Sequence, residues 1–203
     1  MSVSLVIFLH GVGSRGSDLA PLAGVLAPHL PEAVFVAPDG PLPFDGGGAG
    51  RQWFSIRGVT EANRPQRIVE ARSDFDATLS GIIREHGLSE QLDRVALVGF
   101  SQGSIMALDA LASGRWSFGA IVAFSGRLAS PEPLVPSRST RTLLIHGEAD
   151  TMIPATESLE AERRLKSAGA VAEVHLLPGV VHTISSEGAA LATSFLAKAL
   201  AIQ

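Results

Sequence analysis

The stretch Arg94-Val95-Ala96-Leu97-Val98-Gly99-Phe100-Ser101-Gln102-Gly103-Ser104-Ile105-Met106-Ala107-Leu108-Asp109-Ala110-Leu111-Ala112 runs from a strand-like segment, through a glycine-flanked serine, into a helix-like one. Its middle, Gly99 to Gly103, has the form G-x-S-x-G. There a serine on a sharp strand-to-helix turn is pushed into solvent, and small neighbours leave room for the crossing elements. With 21 glycines in the chain the pattern also arises by chance, as an ordinary turn carrying a solvated serine. The strand before it and the helix after it favour a nucleophile elbow.

Outward from this turn, short apolar runs alternate with longer helical patterns, which predicts βα units and a mostly parallel sheet. Strands are expected over 4–10, 33–38, 94–100, 120–124, 142–146 and 172–177, and their near-continuous aliphatic content suits strands covered on both faces. The clearest helix spans 65–86, where Ile68, Phe75, Leu79, Ile82 and Ile83 recur at helical spacing and Gly87 offers a left-handed C-cap. Further helices follow Ser17, Ser101, Ala155 and Ser185, the last with Leu191, Phe195 and Leu196 on one stripe. Residues 39–64 are rich in Pro and Gly and are expected to form neither helix nor strand. Trp53 and Phe54 in that loop have two readings, the wall or lid of a binding site or a simple anchor to the core.

Composition narrows the function classes. A chain of 203 residues that is 46% hydrophobic supports one well-buried core, so a single domain over 1–203 is expected, with any lid no larger than a loop. The net charge is −4 and the 16 Lys and Arg are scattered, which argues against nucleic acid as a partner. With no cysteine there is no disulfide, thiolate zinc site or cysteine nucleophile, and a cytoplasmic location is compatible and expected. The apolar run Ser2–Leu9 lacks a basic leader and a cleavage site and is too short to span a bilayer, so it is read as a buried strand without stable membrane insertion. The six histidines show no H-E-x-x-H spacing; neither metal nor cofactor is expected.

A serine hydroxyl becomes a good nucleophile only when a base takes its proton, and the base works best with a carboxylate behind it. After an elbow, the acid and then the histidine are expected at the carboxyl ends of later strands. Gly147-Glu148-Ala149-Asp150 follows one expected strand and Pro178-Gly179-Val180-Val181-His182 the next, so Asp150 and His182 converge on the Ser101 edge of a parallel sheet. Glu148 is the competing acid, closer to its strand. His10 and His146 each precede a glycine at a strand end and are read as loop organisers; His29, His86 and His175 are read as peripheral. Backbone amides of Gln102, at the helix start, and Val12, in the loop after the first strand, are the candidate oxyanion donors.

Leu9-His10-Gly11-Val12-Gly13, Trp53-Phe54, Gly99-Phe100-Ser101-Gln102-Gly103, His146-Gly147-Glu148-Ala149-Asp150 and Val181-His182-Thr183-Ile184, in this order, resemble the phospholipase/carboxylesterase family of α/β-hydrolases, which includes small serine esterases and acyl-protein thioesterases. The resemblance covers nearly the whole chain. It implies a minimal α/β-hydrolase with a mostly parallel central sheet flanked by helices and no large cap, a triad of Ser101, Asp150 and His182, and an oxyanion hole from Val12 and Gln102. Two positions depart from the family pattern: Ser104 stands in place of a second glycine, and Ser55 in place of an aspartate after the Trp-aromatic pair. The expected substrate is an ester with an uncharged, short to medium acyl group held by Trp53, Phe54, Met152, Ile153 and Val181, with thioesters and lysophospholipids left open.

Two rivals remain at this level. Gly11-Val12-Gly13-Ser14-Arg15-Gly16 also satisfies G-x-G-x-x-G after a strand, with Asp39 ending the next strand as in dinucleotide binding, although that reading leaves Ser101, Asp150 and His182 unused. A protein that keeps the fold and binds without turnover is the other.

Overall fold

A computed structural model describes residues 3–201. Six parallel strands form the central sheet: β1 (Ser4–Leu9), β2 (Ala33–Val36), β5 (Val95–Phe100), β6 (Ala120–Phe124), β7 (Arg141–Gly147) and β8 (Val171–Leu177), in the spatial order β2-β1-β5-β6-β7-β8. No cap domain covers the sheet among the described residues. The short strands β3 (Leu42–Pro43) and β4 (Arg51–Gln52) pair antiparallel, so the 39–64 loop, expected to lack any strand, contains a small ribbon. Its Pro43 sits on an edge, where no ladder donor is required.

Alternation along each strand builds the layers. Leu5, Ile7 and Leu9 of β1 and Val95 and Leu97 of β5 pack beneath α2 (Arg64–Glu85), α3 (Gln102–Ala112) and α4 (Thr156–Ser167). Val6, Phe8, Ala96 and Val98 face the other way, toward α1 (Ala20–Leu26) and α5 (Ser186–Ala199). The inner strands are buried on both sides, as their aliphatic runs predict. The edge strands are not: Val34 and Val171 are exposed, because β2 and β8 lie at the rims where only one face is covered along much of their length.

The long helix α2 buries Ile68, Phe75, Leu79 and Ile83 and closes at Gly87, whose φ of 70° lets the Leu88 amide reach the Ile83 carbonyl at 3.0 Å and the Gly87 amide reach that of Arg84. Helix α3 is buried at every residue and is apolar apart from Gln102, Ser104 and Asp109. Its one charge, Asp109, accepts from Arg72 Nε and Nη2 (2.9 and 2.8 Å), Arg115 Nη1 (2.9 Å) and Ser130 Oγ (2.7 Å), tying α2, α3 and the segment after β6 together.

Order β2-β1-β5 also creates a switch in chain direction: the connection from β1 leads outward to β2, that from β2 returns across to β5. Loops leaving the carboxyl ends of β1 and β5 therefore part, and a crevice opens between them, where such sheets bind ligands.

Asp109 is buried, which by itself would raise its pKa, yet the donors from Arg72, Ser130 and Arg115 prevail and hold it below the ordinary 3.8. Its contribution to stability is thus complete above that value and is lost as pH falls through and below it. Asp109→Asn is expected to cost about 3 kcal/mol in urea unfolding at pH 7, because two arginines lose their buried partner, and to flatten the acid limb of the stability profile.

Candidate active site

Ser101 stands at φ 51° and ψ −113°, a backbone region that side-chain-bearing residues rarely enter, as the cap of α3. The two flanking glycines are required by space: a Cβ at Gly103 would lie 2.0 Å from the Leu9 carbonyl oxygen, and one at Gly99 would lie 2.5 Å from the Ser104 amide. Ser104, where the family has glycine, is accommodated on the inner side, donating to the Phe124 carbonyl at 2.7 Å; a Cβ at Gly126 would meet it at 2.5 Å, so glycine at 126 makes that room.

From the ends of β7 and β8 the other two side chains arrive. His182 Nε2 is 3.0 Å from Ser101 Oγ, and His182 Nδ1 is 2.6 Å from Asp150 Oδ2. With Asp150 ionised, Nδ1–H donates to the carboxylate and Nε2 is left to accept the serine proton. Glu148, the competing acid, is exposed, while Asp150 is buried. Asp150 Oδ1 accepts from the amides of Met152 (2.8 Å) and Ile153 (2.9 Å). Burial opposes its charge, but the Ile153 amide, His182 and the Met152 amide outweigh it and keep the carboxyl below its ordinary pKa.

Behind Asp150 lies His146, fully enclosed. Its Nε2 donates to the Ile153 carbonyl at 2.8 Å and stands 3.2 Å from Asp150 Oδ2, while Nδ1 accepts from Ser158 Oγ at 2.7 Å. The ring thus fastens the turn whose Ile153 amide holds the carboxylate.

The loop after β1 is fixed with equal care. Gly13 donates to the Arg51 carbonyl and Arg51 to the Ser14 carbonyl, each at 2.9 Å, and a Cβ at Gly50 would meet the Gly13 oxygen at 2.3 Å. His10 donates through Nδ1 to the Gly11 carbonyl (2.7 Å) and accepts the Gly40 amide at Nε2 (2.8 Å), while its own carbonyl accepts the indole N–H of Trp53 (2.9 Å). The Gln102 side chain accepts the Trp53 amide (2.7 Å) and donates to the Phe54 carbonyl (2.8 Å), joining the elbow to the 39–64 loop. Among the described residues the amides of Val12 and Gln102 donate to no protein acceptor, and both residues line the cleft at Ser101.

That cleft encloses about 450 Å³; its walls include Phe54, Ile56, Ile105, Met152 and Ile153, and at its far reach Arg64 and Arg127. A second groove of about 470 Å³ shares Gly11, Ser14, Phe100 and His182 with this cleft and runs past Leu22, Val25, Ile184 and Ala189. Of the residues the sequence reading assigns to the acyl group, Phe54, Met152 and Ile153 line this cleft. Trp53 does not: it is 1% exposed and packs edge-on against Phe75, because α2 closes over it, leaving it to support the loop from below. Val181 is also off the wall, 57% exposed, since the tight turn that carries His182 inward turns its neighbour outward. The sequence reading misses Arg64, Arg127, Ile56 and Ile105. Applying the strand-end rule to β6, as it is applied to β5, β7 and β8, would have found Arg127.

The glycine-rich segment 11–16 is committed elsewhere. Its Gly16 amide donates to Asp39 Oδ1 (2.9 Å), Arg15 pairs with Asp39 Oδ2 (2.6 Å), and the Arg15 amide is taken by Asp18 (2.9 Å), so the amides of Arg15 and Gly16 and the Asp39 carboxylate that a dinucleotide site would use are engaged within the protein. Ser55, in place of the family aspartate, donates to Asp45 at 2.8 Å, which brings a carboxylate to that position from across the loop. Among the described residues no group of three or more His, Cys, Asp or Glu is placed to hold a metal ion, and no helix is long and apolar enough to cross a membrane.

A parallel sheet with helices on both faces and a serine, a histidine and a carboxylate in contact at its carboxyl edge defines an α/β-hydrolase. The chain matches the phospholipase/carboxylesterase family over residues 2–200 and belongs to it. It is 33% identical over 192 residues to the esterase YpfH of Escherichia coli (strain K12), covering 95% of this chain and 81% of that protein. Acyl-protein thioesterase 1 of Saccharomyces cerevisiae is 27% identical over 216 residues, with 96% and 92% covered. Among solved structures, esterase PE8 superimposes with a TM-score of 0.88 at 35% identity, covering 98% of this chain and 94% of that one.

Burial pushes the His10 pKa below its usual 6.5, despite the raising influence of the Gly11 hydrogen bond and of Asp39. The folded protein therefore holds the neutral ring, and below pH 6.5 the unfolded chain gains a proton that the folded one does not. Stability is expected to decline as pH falls from 6.5 toward the lowered value, by at most about 1.4 kcal/mol per pH unit. His10→Gln should flatten this part of the curve, read by denaturant titration at successive pH values.

Proposed function

We propose that this protein is a serine carboxylesterase, acting as a single cytoplasmic domain without a cofactor, in which Ser101 attacks the carbonyl of an acyl ester and His182 and Asp150 activate it. The observation that carries the reading is the unbroken relay of 3.0 and 2.6 Å from Ser101 through His182 to Asp150, opening on a cleft with free amides at Val12 and Gln102. His182 takes the serine proton as Oγ adds to the carbonyl, the oxyanion rests on the two amides, and His182 returns the proton to the departing alcohol. Water, activated by the same ring, then releases the acid and restores the serine. Asp150, kept ionised by its three donors, fixes the tautomer and stabilises the imidazolium.

An uncharged acyl chain of short to medium length suits the apolar surface of Phe54, Ile56, Ile105 and Ile153 beside Ser101. Thioesters fall within the same chemistry, and the match to acyl-protein thioesterase 1 supports including them.

Fluorophosphonate labelling and hydrolysis of p-nitrophenyl esters of increasing chain length test the assignment. Ser101→Ala is expected to lower kcat by about 10⁴-fold or more with the fold intact by circular dichroism. Near-normal turnover in that variant, or unlabelled wild-type Ser101 with no turnover at any chain length, overturns it. His146→Phe, which removes the prop behind Asp150 while keeping a ring in the space, is expected to reduce kcat about 10-fold, a loss of roughly 1.4 kcal/mol of transition-state stabilisation, with little change in KM.

A further inference from the structure

Arg64 and Arg127 have no part in the reaction just described, yet both line the cleft that contains Ser101, and no Asp or Glu lines that cleft with them. Arg127 follows the turn that ends β6; its side chain is 16% exposed and its Nη1 is 3.3 Å from Glu157 Oε1. Arg64 is the first residue of α2, half-buried, and has no carboxylate within ion-pair distance (4.0 Å) among the described residues. Burial first, then the charge of Arg127, push its pKa below the ordinary value, with Glu157 and Glu61 only partly offsetting them. The two cations therefore repel each other at the arginine end of a cleft whose lining holds apolar and uncharged polar residues and His182 but no acid.

Protein carboxylates line a neighbouring pocket and not this cleft. There the same arginines border a larger depression of about 580 Å³ with Glu61, Glu132, Glu157 and Glu160, where Arg164 pairs with Glu132 at 2.7 Å and Glu160 is bound by Arg163. In the Ser101 cleft no carboxylate lines the wall beside the two arginines, and α2 begins at Arg64, adding the positive end of its helix. A half-buried guanidinium lacking a partner is costly to keep unless something anionic meets it part of the time. The planar fork of Arg suits a carboxylate or a phosphate.

We propose that this end of the cleft is an anion subsite: the preferred substrate is an ester whose uncharged chain crosses Phe54, Ile56 and Ile105 and whose far end carries a carboxylate or phosphate bound by Arg64 and Arg127. The inference rests on the esterase reading and, where the anion lies on the acyl side, replaces its uncharged acyl end with an anionic one. It adds a positive contact to the apolar wall on which an uncharged acyl group is expected.

Matched ester pairs test it on the wild-type protein. On the acyl side, mono-p-nitrophenyl glutarate, adipate and suberate are compared with p-nitrophenyl esters of the corresponding uncharged acids. On the alcohol side, 4-carboxyphenyl and 4-phosphonooxyphenyl hexanoate are compared with phenyl hexanoate. In one of the two arms the anionic ester is expected to show at least about 10-fold higher kcat/KM than its neutral partner, an advantage that shrinks as NaCl is raised. The arm that shows it identifies where the anion resides. In the variant Arg64→Gln, and again in Arg127→Gln, the anionic-to-neutral ratio should fall about 10-fold, whereas Arg64→Lys should retain part of it. Neutral esters hydrolysed as well as anionic ones in both arms, with Ser101 still labelled, would overturn the anion subsite and leave the esterase intact. Absence of both turnover and labelling would remove the two together.

Discussion

Everything in the site depends on one backbone distortion, the left-handed conformation of Ser101 between β5 and α3. A non-glycine residue there costs on the order of 1–3 kcal/mol, so the turn persists only because its surroundings leave the chain no alternative. β5 is locked between β1 and β6, α3 is buried along its whole length, and Gly99 and Gly103 allow the helix to lie against the ends of the strands at distances no Cβ would permit. The strain is thus supported by the apolar core. In return the hydroxyl is aimed out of the sheet at the start of a helix, where amides point outward without intrahelical partners.

A fixed serine is of use only if its partners are fixed as well, and the protein does this by linking loops to one another instead of leaving them to solvent. Gln102 reaches from the elbow to the backbone of Trp53 and Phe54, Trp53 reaches to the carbonyl of His10, and His10 holds Gly11 and Gly40. These bonds lie in or beside buried space, where each is stronger than at the surface and where an unmade one would be expensive. The result is that the loop carrying the Val12 amide is fastened on several sides while that amide keeps no protein acceptor among the described residues. Donors preorganised in this way are what the proposed acyl transfer needs, since no reorganisation is then required as negative charge develops.

The acid side follows the same logic at a second level. Asp150 is held by two amides of its own turn, that turn is held by His146, and His146 is held by Ser158 at the start of α4. Position in the sheet explains the division of labour along this edge: the ends of β5, β7 and β8 bring together the three reacting side chains proposed here, and the end of β6 brings Arg127 to the cleft. Each strand end therefore faces the same crevice with a different chemistry, from a serine and a basic ring to a cation.

Sequence alone determined the parallel βα architecture, the elbow at Ser101 and the order in which Asp150 and His182 follow it, because these depend on local periodicity, glycine placement and the strand-end rule. It could distinguish Asp150 from Glu148 only as a preference. The structure separates them through the turn after β7, which buries the one and exposes the other. Trp53 and Val181 show where local reading stops. An aromatic residue in a Pro- and Gly-rich loop looks the same whether the loop folds inward or outward, and the direction of a side chain beside His182 is set by a turn that exists only when β7 and β8 are paired. The particular partners of His10 and His146, which the sequence reads as loop organisers, the commitment of Gly16 and Asp39 to each other, and the meeting of Arg64 with Arg127 were decided by tertiary structure alone, since each is a contact between segments distant along the chain or a choice of hydrogen-bond partner made only when the loops pack.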